Sequence, residues 1–274
     1  MSEDRGPAEE PEPVPVRAEV AGGVLTLTLD RPDKANTLQV PTMARIADAL
    51  DAAVTDDAVR AVLIRAEGKH FCGGADLRSV NSPGERPRVG ASMRMLNANA
   101  HRMIQSLWDC SLPTVAAVHG RASGIGLHLA LACDFVVAGD SASFQEPFRD
   151  RGFTADSGAT WLLPRLVGLT RAKQMLLLGR AVDGRRAAEW GLIAELVADT
   201  DVETTARDLA AELAAGPTFS LELTKSMINK HVAVDLRSAM TEEAALVQLS
   251  LHGDDFKEGL RSFMQRRPPE FTGG

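Results

Sequence analysis

The sequence predicts an α/β fold of repeated crossover units that ends in a helical region. Three observations carry this reading. Ala61–Ala66 (AVLIRA) and Pro113–Val118 (PTVAAV) are short apolar runs, as expected of strands buried on both faces. Segments with helical spacing alternate with such runs, which implies a parallel sheet with helical crossovers. From about Gly158 onward the patterning is almost wholly helical, which suggests a lid or an oligomerisation layer.

Taken in order, Met1–Pro15 holds four Pro and five acidic residues and reads as a disordered tail. Val16–Asp30 alternates as a β-hairpin turning at Ala21-Gly22-Gly23. Arg31–Thr37 is a loop. Pro41–Ala53 is helical, with Met43, Ile46, Ala47, Leu50 and Ala53 on one face. Arg78–Arg88 is a polar loop bearing Gly and Pro. Ala91–Trp108 is helical, Pro113–His119 a strand, Gly124–Cys133 a helix and Asp134–Ala138 a strand. Helical patterning then covers Thr160–Leu166, Arg171–Leu178, Gly184–Trp190, Val202–Ala214, Ser220–His231, Asp235–Leu251 and Asp254–Arg266. No internal repeat of 20–50 residues is visible. The expected division is a tail over 1–15, a core over 16–200 and a helical oligomerisation region over 201–274.

The 274 residues are 45% hydrophobic and 24% charged, an ordinary globular mix. No apolar run approaches the roughly 18–20 residues that span a bilayer. The acidic, proline-rich N-terminus is unlike a secretory signal. A net charge of −7 argues against general nucleic-acid binding. Cys72, Cys110 and Cys133 are odd in number and lack metal-ligand spacing, which fits a reducing cytoplasm and no bound metal. Cys72 is expected as a small buried hydrophobe.

Two glycine-rich segments follow β-type runs: Phe71-Cys72-Gly73-Gly74-Ala75-Asp76-Leu77 and His119-Gly120-Arg121-Ala122-Ser123-Gly124-Ile125-Gly126. Small residues let backbone approach a ligand closely. Two such turns can aim two N–H groups at one oxygen, an oxyanion hole suited to a thioester enolate.

The order RPDKANTL, FCGGADL, AAVHGRASGIGLHLALACDFVVA, ADSGATWLLPRLVG and GRAVDGRRAAEWGLIAELV resembles the crotonase superfamily of enoyl-CoA hydratase/isomerase-type proteins, over about Val16 to Phe271. The resemblance implies a spiral of ββα units followed by helices that build homotrimers or hexamers. It also implies an acyl-CoA thioester as substrate, with no separate cofactor. It assigns the oxyanion N–H groups to Ala75 and Ile125. The branched Ile125, where the family usually has glycine, would narrow the site or shift the chain path. Lys34, Ala35 and Asn36 would lie along the coenzyme A ribose-phosphate and adenine. Gly74, Asp76, Leu77, Gly124, Pro147 and Phe148 would line the substrate. Phe256 and Lys257 match a region that can reach a neighbouring subunit's coenzyme A phosphate.

The chain departs from a hydratase of that family at both glutamates of the acid–base pair. His128 and Phe148 stand in their places, and Glu146 reads as a loop or interface residue. Asp156 remains, where relatives such as dienoyl-CoA isomerases, ring-epoxide isomerases and an aryl-CoA dehalogenase carry a functional aspartate. It could shuttle a proton or attack an electron-poor ring, and it could also cap the following helix. His128 is a second candidate proton carrier, and His101 resembles a histidine of the dehalogenase branch. Arg149, Asp150 and Arg151 could hold Asp156 ionised or form a solvated run. Phe148, Phe153, Trp161 and Leu162 suggest a roomy or aromatic acyl pocket. The expected activity is double-bond or ring isomerisation using Asp156. The alternatives are hydration through His128, a catalytically silent acyl-CoA-binding protein and, against the acidic balance, RNA binding.

Overall fold

The computed structural model describes residues 14–76 and 88–274. All of the expected tail but Val14 and Pro15, with Leu77 and nearly all of the Arg78–Arg88 loop, lies outside the described residues. The hairpin forms as expected, from β1 (Val16–Ala21) and β2 (Val24–Leu29), paired antiparallel. Gly22 and Gly23 both have positive φ, 58° and 80°, as a two-residue turn matched to strand twist requires. A 3₁₀ turn at Pro32–Lys34 precedes α1 (Val40–Ala53). The predicted face of α1 is buried, and Pro41 sits in its first turn, where a missing N–H costs nothing.

The remaining strands of the main sheet are β3 (Ala61–Ala66), β4 (Thr114–Val118), β6 (Phe135–Gly139) and β9 (Glu195–Val197). Their order is β1-β2-β3-β4-β6-β9, parallel from β2 onward. A second sheet holds β5 (Arg121–Ser123), β7 (Ser143–Gln145) and β8 (Val182–Asp183), in that order. Two single bridges extend it: Cys72 pairs with Ala122 of β5, and Ala75 pairs with Leu38. Successive units thus send one strand to the large sheet and a short second strand to the small one. This is the ββα spiral expected from the resemblance.

Helices α2 (Ala91–Leu96) and α3 (Arg102–Trp108) are joined by a π-helical turn at Asn97–His101. Then come α4 (Ile125–Leu131), α5 (Phe148–Arg151), α6 (Ala159–Val167), α7 (Leu169–Leu178) and α8 (Gly184–Trp190). Finally α9 (Val202–Ala214), α10 (Thr218–His231), α11 (Leu236–Ser250) and α12 (Asp254–Gln265) form the helical C-terminal region. Strands β3 and β4 of the main sheet are buried on both faces, which explains their apolar runs. Val62 and Ile64 face the larger core with Leu27 and Ile46, while Leu63, Val115 and Val137 meet Val202, Ala206 and Ala210 of α9.

Among the departures from expectation, three have a clear physical reason. α4 starts at Ile125 because Gly124 has φ 51° and ψ −127°, outside any helical region. The strand expected at Asp134–Ala138 is shifted by one residue, because the Asp134 carboxylate accepts from the Thr114 N–H and hydroxyl. The region after Gly158 also contains β8 and β9, which are too short for periodicity to reveal.

Candidate active site

The two glycine turns are pressed together. Cys72 N–H donates to Arg121 O, and Ser123 N–H donates to Cys72 O. A Cβ on Gly74 would stand 2.9 Å from Ser123 O, and one on Gly126 would stand 2.5 Å from Cys72 Sγ. Neither position tolerates a side chain, so the glycines are what lets these backbones touch. Gly74 also has φ 100°, and Pro147 packs on Gly124, where a Cβ would stand 3.6 Å from Pro147 Cδ.

This packing sets the direction of two N–H groups. Leu38 N–H donates to Gly74 O, and Asp76 N–H donates to Leu38 O, so the intervening Ala75 N–H points the other way along the pleat. Ile125 is the first residue of α4, whose N–H has no intrahelical acceptor. Neither N–H has an acceptor among the described residues. The Ile125 side chain is buried in the main core, so its branching is absorbed by packing while the N–H stays available.

The segment 31–37 is clamped to the first turn. Arg31 bridges Asp76 at 2.8 Å, and Gly73 N–H donates to Ala35 O. Ala35 and Asn36 both have left-handed backbone, φ 51° and 52°. The Asn36 side chain is buried; its Oδ1 accepts from Arg31 N–H, and its Nδ2 donates to Glu67 O and His70 O. Asn36 therefore holds the loop, while exposed Lys34 pairs with Asp33 at 3.4 Å. Cys72 is buried, as expected, and burial pushes its thiol up to about 12. Burial likewise raises Cys110 and Cys133, so none of the three has the low-pKa setting of a nucleophile.

The structure corrects the reading of Glu146. It stands in the loop between β7 and α5, as expected, but it is fully buried rather than at an interface, and its Oε1 lies 2.9 Å from His128 Nε2, also fully buried. The Phe148 ring stacks on His128 with centroids 5.9 Å apart, and Phe153 meets Phe148 edge-on. Because Cβ atoms tilt toward a helix N-terminus, His128 lies over the Gly124–Ile125 turn. His128 Nδ1 and Glu146 Oε2 have no hydrogen-bond partner among the described residues. A signal for Glu146 was present in the sequence: Ala142, Phe144, Glu146 and Phe148 alternate with period two and are all buried.

Asp156 is half-buried in the turn before α6, and its Oδ1 accepts from the Ser157 hydroxyl. It does not cap α6. The N-cap is Gly158, and Ser157 and Gly158 hold left-handed backbone at φ 50° and 90°. The neighbouring cations do not serve Asp156 either: Arg149 donates to Leu178 O at the end of α7. His101 pairs with Asn97 in the π-helical turn. Trp161 packs edge-on against Trp108, while Phe153 is largely exposed. Lys257 pairs with Asp254 on exposed α12. Among the described residues, no group of three His, Cys, Asp or Glu side chains is placed to hold a metal, and no helix is long and apolar enough to cross a membrane.

Comparison with known proteins extends this geometry. The family model for enoyl-CoA hydratase/isomerase matches residues 19–274. A 1,2-epoxyphenylacetyl-CoA isomerase of Escherichia coli is 37% identical over 94% of this chain and 98% of its own. A probable enoyl-CoA hydratase of Rhodobacter capsulatus is 36% identical over 94% and 98%. The crystal structure of a putative enoyl-CoA hydratase from Streptomyces coelicolor A3(2) superposes with a TM-score of 0.87, at 35% identity, covering both chains in full.

Proposed function

The chain belongs to the enoyl-CoA hydratase/isomerase family, and we propose that within it the protein isomerises an acyl-CoA thioester, with Asp156 as acid and base. The observation that carries the reading is the pair of acceptor-free N–H groups, Ala75 and Ile125, on two turns whose glycines exclude every side chain. The thioester oxygen sits between these donors. Charge develops on that oxygen when the α-proton leaves, so the donors favour the enolate over the ground state. Asp156 takes the α-proton and returns it at the γ carbon, or at the ring position conjugated with the enolate.

Two features support isomerisation over hydration. The positions that resemble the hydratase glutamates carry His128 and Phe148, and the nearby Glu146 is held by His128. Asp156 accepts only from a hydroxyl, with no cation bound to it among the described residues. The Escherichia coli relative, named as a ring-epoxide thioester isomerase, agrees with this reading. Lys34 and the Ala35 backbone lie along the coenzyme A, beside Gly74 and Asp76, while Gly124, Pro147 and Phe148 border the acyl group. Apolar residues exposed on α11 and α12, among them Leu236, Met240, Leu260 and Phe263, suit a homotrimer or hexamer.

The test is Asp156→Asn, assayed for double-bond migration in 3-enoyl-CoA and for opening of ring-epoxide thioesters. Loss of about 10²–10⁴-fold in turnover is expected for removing a general base, and unchanged turnover removes Asp156 from the mechanism. The buried His128–Glu146 pair favours one second reading, hydration through His128. Labelled water incorporated into 3-hydroxyacyl product from crotonyl-CoA would establish it.

A further inference from the structure

The Ala75 donor is aimed by the residues on either side of it. A trans peptide points its N–H opposite to its C=O. The direction of the Ala75 N–H is therefore set by whatever holds the Gly74 carbonyl. Leu38 N–H holds that carbonyl at 2.8 Å. After the donor, Asp76 N–H donates to Leu38 O at 2.9 Å. Before it, Gly73 N–H donates to Ala35 O at 2.8 Å. Three backbone bonds thus tie residues 73–76 to residues 35–38.

An ion pair is added to these bonds. Arg31 Nη1 donates to Asp76 Oδ2 at 2.8 Å, and the Asp76 side chain is only 6% exposed. Arg31 is a fixed base for this contact. Its N–H donates to Asn36 Oδ1, and its carbonyl accepts from the N–H groups of Lys34 and Asn36. Joining the two segments does not require the pair, since backbone bonds already join them. Taking a carboxylate out of water also offsets much of what such a pair returns in stability. What the pair adds is direction. Gly74, at φ 100° and without a Cβ, lets the following peptide swing with little resistance. Arg31 grips the residue directly after that peptide and stops the swing.

We propose that Arg31 is a positioning residue for the oxyanion donor at Ala75, acting through its ion pair with Asp76. The inference rests on the acyl-CoA reading above and deepens it. Arg31 acts on the angle at which the Ala75 N–H meets the thioester oxygen, and that angle decides how strongly the developing charge is held. Loss of the pair lowers thioester polarisation and turnover together and changes substrate affinity little.

The test uses 4-(dimethylamino)cinnamoyl-CoA, a chromophoric thioester whose absorption moves to longer wavelength as its carbonyl is polarised. The shift is read at saturation on the full-length protein, so it does not depend on affinity. Arg31→Met and Asp76→Ala are each expected to lose about half of the wild-type shift, because one of two donors is misaimed. Each lowers kcat for 3-enoyl-CoA isomerisation about ten- to a hundredfold, while KM stays within about threefold. Arg31→Lys keeps the charge without the planar fork and restores part of both losses. Arg65→Met is the control: it breaks the pairs of Arg65 with Glu67 and Glu203, outside both glycine turns, and keeps the full shift. If Arg31→Met does not fold, Asp76→Ala carries the test, since the released Arg31 is 22% exposed and reaches solvent. A full wild-type shift in Asp76→Ala, or an equal loss in Arg65→Met, overturns the proposal. A wild-type protein that binds the probe with no shift overturns the oxyanion reading, and this inference with it. Asp156→Asn separates the isomerase reading from this one: it abolishes isomerisation under the functional proposal and leaves the shift intact under this one.

Discussion

Gly126→Ala isolates the contact between the two turns. Gly126 lies inside α4 without left-handed backbone, so alanine meets no conformational penalty there. As a helix former, alanine even gains about 1 kcal/mol over glycine. The obstacle is steric. The new Cβ would stand 2.5 Å from Cys72 Sγ, 2.6 Å from Cys72 Cβ and 2.8 Å from Cys72 O. Carbon contacts relax near 3.5–4.0 Å, so the turns must part by about 1 Å. Two of the three atoms cannot rotate away. Overpacking of this kind costs about 1–3 kcal/mol, and the helix gain offsets part of it. The net loss of about 0–2 kcal/mol lowers Tm by at most roughly 6 °C. Activity suffers more, because a displacement of about 1 Å at a catalytic donor costs about 10²-fold. The assay pairs thermal unfolding with kcat for 3-enoyl-CoA isomerisation. Adding Cys72→Ala removes Sγ but not Cβ or the carbonyl, so the double variant recovers activity only in part. A Gly126→Ala protein with kcat within about threefold of wild type would refute the oxyanion geometry.

Two further predictions concern the frame of the site. Asn36→Ala deletes three buried hydrogen bonds, to Arg31 N–H, Glu67 O and His70 O, and is expected to cost about 2–4 kcal/mol in urea unfolding; a loss below about 1 kcal/mol would show that the loop holds without it. Cys72 ionises near 9.0 ordinarily and near 12 in the fold, so burial favours the thiol form. The folded-state value is raised, so this contribution is complete below pH 9 and declines as pH climbs toward 12. Iodoacetamide at about pH 8 should therefore leave Cys72 unlabelled until the protein unfolds, and rapid native labelling contradicts the burial.

The parts of this fold that were legible in the sequence are those with long periods. The amphipathic α1, the doubly buried β3 and the helices from α8 to α12 repeat their pattern often enough to be read. The second sheet was not legible, because β5, β7 and β8 are two or three residues long and two of its contacts are single bridges. The two glycine turns were legible as a pair because small residues fill both, while Ala75 and Ile125 within them came from the resemblance. Asp156 was readable as a carboxylate before a helix but not as uncapping, since the left-handed Ser157 and Gly158 that turn it away are set by tertiary packing.

Glu146 was misread because motif positions were taken one at a time. Glutamate at the position of His128 and at that of Phe148 would each have been a carboxylate by itself, so their replacement read as two losses. In space the replacements belong to one group. The imidazole of His128 binds the Glu146 carboxyl, and the Phe148 ring covers the imidazole. Neither residue is stable there alone: Glu146 without His128 is a buried acid with no partner, and His128 without Glu146 lacks an acceptor for Nε2. The pairing gives the buried carboxyl its hydrogen-bond partner. Asp156 is the opposite case, half-exposed with a hydroxyl as its only partner among the described residues. The two carboxyls thus stand in contrasting surroundings, one fixed against an imidazole and the other open to solvent, which is the contrast the proposed acid–base role of Asp156 draws on.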